Sequence, residues 1–431
     1  MTTLIIGGGW SGLAAAVRLS QQGHRVQLFE SARQLGGRAR SVDWQGLEID
    51  NGQHLMIGAY RHTLSLLEDI GADNTALFQR LPLDIQIQDP DYPPLRIAAG
   101  PGLPWPLSLA WRLWRDNGTD CLAQISRLNW LARRFKPTPD ISVASWLDQA
   151  GQSRRLIRQL WEPLCLATLN TPIEMASAAV FARVLSTTFR ARSDTDLLIP
   201  KLPLGATLPR LAEQYIQQQG SQIHLQSRVE KIVVDDGKVT GLVTQGGQYF
   251  PAEHIIVATP LAAARPLLDE QLTLPVSDSY PIATAYLQYP ADCRLPAPIQ
   301  GLSGTLCQWL FDRHELRPGL VAAVISGPGE HEKLSKAALL KQIAGEIHQQ
   351  WPELPPMPDK SLVIREKRAT FICNVDIQRQ RPNNRTEITG LWLAGDFVAN
   401  PYPATLEGAV LNGEQTAIQL MEQLKCQSRT T

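Results

Sequence analysis

The feature that most restricts the fold of this chain is the glycine cluster GGGWSG at residues 7–12. It follows a short β-branched and apolar run at residues 3–6 and precedes residues 13–22, where apolar side chains recur at helical spacing. An extended run, a glycine turn and an amphipathic helix in this order predict the strand–turn–helix unit that opens a dinucleotide-binding domain.

Each glycine of the motif has a separate physical role. Gly7 permits the tight turn, Gly9 lets the backbone approach a diphosphate, and Gly12 lets the helix pack closely on the strand. The N-terminus of the helix then faces the anion. We therefore predict that the diphosphate of a dinucleotide lies against five residues of this turn, namely Gly7, Gly9, Trp10, Ser11 and Gly12.

A second predicted strand at residues 25–29 ends in Glu30, which lies 18 residues beyond Gly12. A carboxylate at this position can accept hydrogen bonds from the ribose hydroxyls of an adenosine, and we place Ser31 beside it in the same site. Because Glu30 is acidic, a 2′-phosphate on that ribose is disfavoured.

The segment QLGGRAR at residues 34–40 resembles the glycine-glycine-arginine segment of the amine-oxidase and phytoene-desaturase flavoprotein superfamily. The resemblance implies that the dinucleotide is FAD, bound non-covalently, rather than NAD. It also implies that Gly37 and Arg38 lie along the cofactor phosphates, and a guanidinium after a flexible glycine pair suits contact with an anion. For Arg40, phosphate contact and a solvated charge both stay open.

The C-terminal part of the chain agrees with this assignment. GLWLAGD at residues 390–396 and PATLEGAV at residues 403–410 resemble the C-terminal flavin motif of the same superfamily. The resemblance implies that Gly395 and Asp396 meet the ribityl or phosphate region, and that a helix N-terminus faces the isoalloxazine through Thr405, Leu406 and Ala409. It further implies a backbone contact between Val229 and the adenine.

These motifs predict an α/β fold with a Rossmann-type, glutathione-reductase-like FAD-binding domain and a discontinuous α+β substrate domain. We assign residues 1–84, 196–275 and 386–431 to the first domain, and residues 85–195 and 276–385 to the second. The turn Gly327-Pro328-Gly329 imitates a second nucleotide motif, but Glu330 would repel a phosphate. We therefore expect an ordinary strand-to-helix turn there and no dedicated NAD(P)H site.

The composition excludes several other classes of protein. Basic and acidic residues are equal at 41 each, so no net charge draws the chain to nucleic acid. The six cysteines form no CxxC pair and no metal-ligand spacing, which predicts reduced packing residues and no metal site. We expect neither a signal peptide nor a membrane span, because the first residues show no charged region followed by a long apolar one and no run approaches about 20 apolar residues. We expect a cytoplasmic protein, and peripheral contact with the inner face of the cytoplasmic membrane stays open.

Two further segments narrow the resemblance. DNGQHLMIGAY at residues 50–60 and WEPLCLATLNTP at residues 161–172 are similar to the squalene-associated flavoproteins, the hydroxysqualene dehydroxylases of bacterial hopanoid synthesis. Similarity to that family implies that the hydroxyl of hydroxysqualene, a hydrophobic isoprenoid, is replaced by hydrogen to give squalene. The alternatives are a carotenoid-type desaturase, an amine oxidase, and a prenyl-chain carrier without flavin chemistry.

Reduction of an allylic alcohol needs a proton donor as well as a hydride. His54 is the first candidate, since an imidazole can be protonated near neutrality. Tyr402 and Glu407, beside the flavin helix, are second choices. A structural role for His54 stays open, as does the alternative that Asp50 binds a loop amide instead of acting in catalysis.

Tryptophan is concentrated in one part of the sequence, with six of the 11 between residues 105 and 161. Leu107, Trp111 and Trp114 share one predicted helical face, and residues 105–136 hold six basic residues against two acidic ones. Two interpretations stay open. One is a membrane-surface helix, and the other is a lid that packs its tryptophans into the substrate domain.

Overall fold

The computed structural model describes residues 2–100, 102–134, 139–269, 271–275 and 278–430. The strands, in chain order, are β1 (Thr2–Ile6), β2 (Arg25–Phe29), β3 (Ser41–Trp44), β4 (Leu47–Asp50), β5 (Met56–Ile57), β6 (Phe78–Leu81), β7 (Asp84–Gln88), β8 (Leu95–Ala98), β9 (Leu197–Pro200), β10 (Gln222–His224), β11 (Val229–Asp235), β12 (Lys238–Thr244), β13 (Tyr249–Pro251), β14 (His254–Val257), β15 (Ser279–Gln288), β16 (Ile299–Leu302), β17 (Trp309–Asp312), β18 (Leu320–Ser326), β19 (Lys360–Phe371) and β20 (Leu391–Leu393).

The α-helices are numbered in the same way. They are α1 (Trp10–Gln21), α2 (Arg61–Asp69), α3 (Asn74–Leu77), α4 (Leu107–Arg134), α5 (Val143–Gln149), α6 (Arg154–Leu156), α7 (Glu162–Leu169), α8 (Ala178–Thr188), α9 (Leu208–Gln218), α10 (Leu261–Leu268), α11 (Lys336–Gln350), α12 (Ile377–Gln380) and α13 (Leu406–Thr430). A π-helical turn, Ile157–Trp161, lies directly before α7.

A five-stranded parallel sheet in the order β10-β2-β1-β14-β20 forms the nucleotide-binding part of the molecule. Its strands come from three distant parts of the chain, yet nearly every residue of β1, β14 and β20 is buried. Strands buried on both faces are typical of parallel sheets covered by helices. The predicted fold class, a Rossmann-type unit with a second α+β part, is therefore confirmed, while the residue boundaries of the two domains stay our proposal.

Two glycines allow the backbones around the nucleotide turn to touch. A Cβ on Gly12 would lie 2.0 Å from the carbonyl oxygen of Gly7, so α1 packs on β1 at a distance that no side chain permits. A Cβ on Gly413 would lie 2.1 Å from the carbonyl oxygen of Ser11, so α13 is pressed onto α1 in the same way. These contacts bring the C-terminal helix against the N-terminal turn.

A seven-stranded sheet in the order β19-β15-β18-β17-β16-β7-β8 forms the second part of the molecule. Leu339, Ile343 and Ile347 of α11 pack against one face of it. Apolar side chains of the other face join a core shared with α4, α5 and α8. After β18 the chain makes a glycine turn into a short 3-10 helix at Glu330–Glu332, so the turn predicted at residues 327–329 is confirmed.

Helix α4 is kinked at Gly118, where φ is 88°, and its buried face is not the tryptophan face. Leu109 and Leu113 pack into the core, whereas Trp111 is 44% and Trp114 49% exposed. Trp130 is 53% exposed as well. The interpretation of this segment as a lid with inward tryptophans is therefore wrong for these side chains.

None of the helices in the described part of the chain combines the length and the apolar character that crossing a bilayer requires. Residues 135 and 136 of the basic segment lie outside the described residues.

Candidate flavin site and its surroundings

The glycine turn between β1 and α1 has the geometry of a phosphate cradle. Gly7 has a φ of 109°, which L side chains rarely adopt, and a Cβ there would lie 2.7 Å from the carbonyl oxygen of Ala258. Gly9 differs, because a Cβ there would meet no protein atom within 4 Å. The backbone of Gly9 is therefore open to a ligand at the N-terminus of α1.

Several polar atoms around this turn are buried and, within the described residues, have no hydrogen-bond partner. They are the Trp10 indole nitrogen Nε1, the Ser11 hydroxyl and the Thr259 hydroxyl. Buried polar groups of folded proteins are nearly always hydrogen-bonded, so such a cluster calls for an explanation. A dinucleotide at the open face of Gly9 supplies one, and the residues present fit that cofactor. Thr259, which follows β14, was missed because a threonine after a strand carries no distinctive signal.

Glu30 lies beside the same turn at the end of β2. Its carboxylate accepts hydrogen bonds from the backbone N–H of Gly8 at 2.8 Å and of Ala32 at 2.8 Å. The Ser31 hydroxyl donates a third bond at 3.2 Å. The side chain is buried, and these donors hold it in a fixed orientation.

The adenosine side of the site gains a second edge from the segment before β11. The backbone N–H of Ser227 donates to the Glu30 carbonyl at 2.8 Å, and Val229 begins β11 two residues later. The structure thus joins the segment before β11 to the end of β2. The contact between Val229 and adenine stays a prediction.

An ion pair joins the two distant flavin motifs. The Arg38 guanidinium Nη2 donates to the Asp396 carboxylate at 2.7 Å, and Nη1 donates to the carbonyl of Ala369 at 2.8 Å. Asp396 is almost fully buried, while Arg38 is about one-third exposed. The GGR and GD segments therefore meet at one place, although 358 residues separate the two side chains. Arg40 instead donates to the carbonyl of Gly37 at 3.2 Å.

The helix that follows the second motif begins with a side-chain cap. The Thr405 hydroxyl accepts a hydrogen bond from the backbone N–H of Gly408 at 3.1 Å, which satisfies one of the free donors of the first turn of α13. Leu406 and Ala409 of that turn are half-buried. Gly395 donates its backbone N–H to the Asn412 amide oxygen at 2.9 Å, so the GD turn is tied to α13.

The Asp50 side chain is hydrogen-bonded to the backbone. Its carboxylate accepts a hydrogen bond from the backbone N–H of Leu204 at 2.6 Å, and the Tyr286 hydroxyl donates to the Asp50 carbonyl at 2.9 Å. Burial raises the pKa of Asp50 to about 7, against the opposing effect of the Leu204 bond. The alternative that Asp50 binds a loop amide is confirmed.

His54 follows in the same segment, which rests on β15 through a hydrogen bond of 3.3 Å from the Gln53 N–H to the Thr284 hydroxyl. Burial lowers the pKa of His54 to about 4. Nδ1 is buried and has no hydrogen-bond partner in the described part of the chain. The argument that this imidazole is protonated near neutrality is therefore wrong, since the neutral form prevails at pH 7.

The two other candidate donors have different surroundings. The Glu407 carboxylate accepts hydrogen bonds from the backbone N–H groups of His62 and Thr63 at 2.9 and 3.0 Å. It therefore caps the N-terminus of α2, which is a structural role. Tyr402 is half-buried next to α13, and burial together with the Glu407 charge raises its pKa. Its phenol keeps its proton.

Arg381 is a residue of this region that no sequence motif indicates. It lies just after α12, is 6% exposed, and donates to the carbonyls of Asp396 at 2.5 Å, Asn400 at 2.9 Å and Tyr402 at 2.9 Å. It therefore holds the loop between the GD turn and α13. Only the fold places residue 381 under this loop.

The nucleotide turn and the paired flavin motifs define a flavin-dependent oxidoreductase. The chain belongs to the flavin containing amine oxidoreductase family, whose sequence profile matches residues 10–421. The predicted membership of this superfamily is thereby confirmed.

Individual relatives agree with this assignment. Hydroxysqualene dehydroxylase from Zymomonas mobilis is 28% identical, over 96% of this chain and 98% of that protein. Zeta-carotene desaturase from Synechocystis sp. is 23% identical, over 97% and 96% respectively. The crystal structure of an oxidoreductase from Methanosarcina mazei superimposes with a TM-score of 0.76 at 18% identity, over 98% of this chain and all of that one. The narrower resemblance seen in the two sequence segments is confirmed by the first of these.

We expect Gly9→Val to abolish FAD retention without unfolding the protein. A valine side chain occupies the open space over the turn and excludes the diphosphate, while its Cβ has no protein atom within 4 Å. The melting temperature of the cofactor-free variant should equal that of the cofactor-free wild type, while its flavin absorbance falls to the background. Gly12→Val is the contrasting variant, because its side chain collides with Gly7 and should prevent folding. A folded Gly9→Val protein with normal flavin content contradicts the site.

Proposed function

We propose that this enzyme binds FAD non-covalently and uses its reduced form to convert hydroxysqualene to squalene. The observation that carries the proposal is the similarity to hydroxysqualene dehydroxylase along almost the whole chain. The meeting of Arg38 and Asp396 supports it, because it assembles both flavin motifs in one site.

The proposed reaction balances as an alcohol plus reduced flavin giving an alkene-rich hydrocarbon, water and oxidised flavin. The C–O bond of the carbinol breaks, and its oxygen leaves as water after gaining a proton. The bound flavin supplies a hydride to the carbinol carbon, which is activated as an allylic cation. The chain must exclude water, orient the substrate and deliver one proton.

The substrate domain suits an isoprenoid rather than an amine. Half-buried apolar side chains pack against its core on several elements, among them Leu164, Ile282 and Ile364. An apolar lining desolvates a hydrocarbon chain at little cost and repels a charged amine. A carotenoid-type desaturase has the same needs, but the direction of hydride transfer distinguishes it, and the closer similarity to hydroxysqualene dehydroxylase favours reduction.

We expect deuterium on the former carbinol carbon when the flavin is reduced with a deuteride donor. Anaerobic single-turnover conditions limit exchange at flavin N5, and mass spectrometry of the squalene locates the label. A desaturase would instead oxidise a saturated carbon of a polyene, with no consumption of hydroxysqualene. Squalene formed without deuterium contradicts the hydride route.

We propose His54 as the proton donor and Tyr402 as the residue that takes this role if His54 does not. His54→Ala should retain FAD and slow squalene formation by on the order of 10²-fold or more. Because its lowered pKa makes the imidazolium scarce at pH 7, the wild-type single-turnover rate should rise as the pH falls from 7 toward 5. Stopped-flow assays that follow the reoxidation of reduced flavin by hydroxysqualene measure both effects.

The matched control is His331→Ala, since burial also lowers the pKa of His331 and this residue lies elsewhere, in the short helix after β18. Its loss should leave the rate near that of the wild type. Wild-type rates in His54→Ala, together with a slow Tyr402→Phe variant, would move the role to Tyr402. In neither case is the hydride route affected.

We also propose that the outer face of α4 lies on an anionic membrane surface. Trp111, Trp114 and Trp130 are exposed there, and Leu107 is 60% exposed. The Arg115 guanidinium stacks over Trp111 at 4.7 Å, and the Arg134 guanidinium stacks over Trp130 at 4.2 Å. Apolar side chains with basic neighbours are typical of helices that lie in the bilayer interface, and a lipid substrate would reach the enzyme from there.

We expect the double variant Trp111→Ser, Trp114→Ser to lose most of the binding to vesicles that contain phosphatidylglycerol. Co-sedimentation gives the bound fraction, and raised salt should weaken the wild type as well. Tyr249→Ser is the control, because Tyr249 is a similarly exposed aromatic residue on β13. If the wild-type protein does not bind these vesicles, the membrane proposal is wrong, but the proposed reaction is not affected.

A further inference from the structure

Arg381 is a buried cation that contacts the loop between the GD turn and α13. Its Nη1 donates to the carbonyls of Asn400 and Tyr402, and its Nη2 donates to the carbonyl of Asp396. Those three carbonyls belong to the segment between the GD turn and the first turn of α13. The positive charge is therefore fixed beside the part of the fold to which the isoalloxazine is assigned.

The charge of Arg381 has no paired carboxylate among the residues that the structure describes. Asp396 is the nearest acidic group, but its carboxylate is taken by Arg38 at 2.7 Å. Two guanidinium groups thus face one carboxylate, which leaves one excess positive charge. The Phe371 ring lies 5.4 Å from the Arg381 guanidinium. Cys373, the other titratable neighbour, stays neutral because burial raises its pKa to about 12.

Keeping a guanidinium in this place costs free energy. Burial lowers the pKa of Arg381 to about 10, so the group still carries its charge at neutral pH. The Nε–H is buried and unbonded within the described residues. Three carbonyl contacts could be made by a neutral donor, and a buried charge without a partner is unfavourable. The charge itself therefore calls for a function.

We propose that Arg381 is a positioning residue that raises the reduction potential of the bound flavin by stabilising the negative charge of its reduced form. Oxidised flavin takes up two electrons and one proton and becomes an anion. A fixed cation in a buried site favours that anion over the neutral oxidised state. This inference rests on the proposed function, in which the enzyme must hold reduced flavin until the alcohol binds.

The test compares a variant that removes the positive charge with a variant that keeps it. Arg381→Gln removes the cation, and Arg381→Lys keeps it while losing the fork of hydrogen-bond donors. Each holoenzyme is reduced with xanthine and xanthine oxidase in the presence of a reference dye. At a given potential, which the dye reports, the ratio of reduced to oxidised flavin in Arg381→Gln should fall at least about tenfold. This change corresponds to about 30 mV for a two-electron couple. Arg381→Lys should stay within about twofold of the wild type.

Arg365→Gln is the matched control. Arg365 also donates only to carbonyls, those of His331 and Leu334, and its Nε is also buried without a partner in the described structure. It lies on β19 against α11, so its loss should disturb packing and leave the potential unchanged. An unchanged potential in Arg381→Gln overturns the proposal. An equal fall in Arg381→Lys also does so, because it assigns the effect to loop geometry.

A measurement on the wild type decides the matter if the Gln variant loses its cofactor. At a fixed potential and mildly acid pH, the ratio of reduced to oxidised flavin should change tenfold per pH unit. One proton accompanies two electrons when the reduced flavin stays anionic. A hundredfold change per pH unit means that a second proton is taken up, and it overturns the proposal. Wild-type protein that binds no FAD refutes the proposed function itself, which is a separate outcome.

Discussion

The backbone contact between α13 and α1 is the constraint on which the rest of the site depends. Gly413 has no side chain, so α13 approaches the carbonyl of Ser11 closely. This approach carries the GD turn to the glycine turn, where Arg38 and Asp396 form their ion pair. A partly buried ion pair adds little net stability, but removal of Arg38 leaves the buried Asp396 carboxylate without its partner. The pair therefore specifies how the two ends of the chain meet.

The ionisable groups of the site are divided between the cofactor and the scaffold. In the proposed site, the positive charges of Arg38 and Arg381 are assigned to the diphosphate and to the reduced flavin, respectively. The carboxylates are occupied, since Glu30 accepts from turn amides and Glu407 caps α2. Few ionisable side chains of the site are therefore available to the substrate. This suits a reaction whose chemistry is supplied mainly by the cofactor.

The shared fold explains why the relatives of this chain differ in chemistry. A hydroxysqualene dehydroxylase, a carotene desaturase and amine oxidases all match this architecture. In each, the same β–α framework can hold a flavin, and the second sheet with its helices surrounds whatever reacts. The direction of hydride flow then depends on the potential of the flavin and on which substrate can form a stabilised cation. Both are properties of the site and not of the topology.

The sequence alone determined the nucleotide turn, the strand that leads to Glu30 and the two flavin motifs. Those features are local, because glycine positions and hydrophobic periodicity act within a few residues. Tertiary structure decided what depends on distant neighbours. Burial in the fold makes His54 neutral, and the Glu407 carboxylate caps α2. On α4, Leu109 and Leu113 rather than the tryptophans of that helix pack into the core. Arg381 became visible only there, because hydrogen bonds to backbone carbonyls leave no pattern in a sequence.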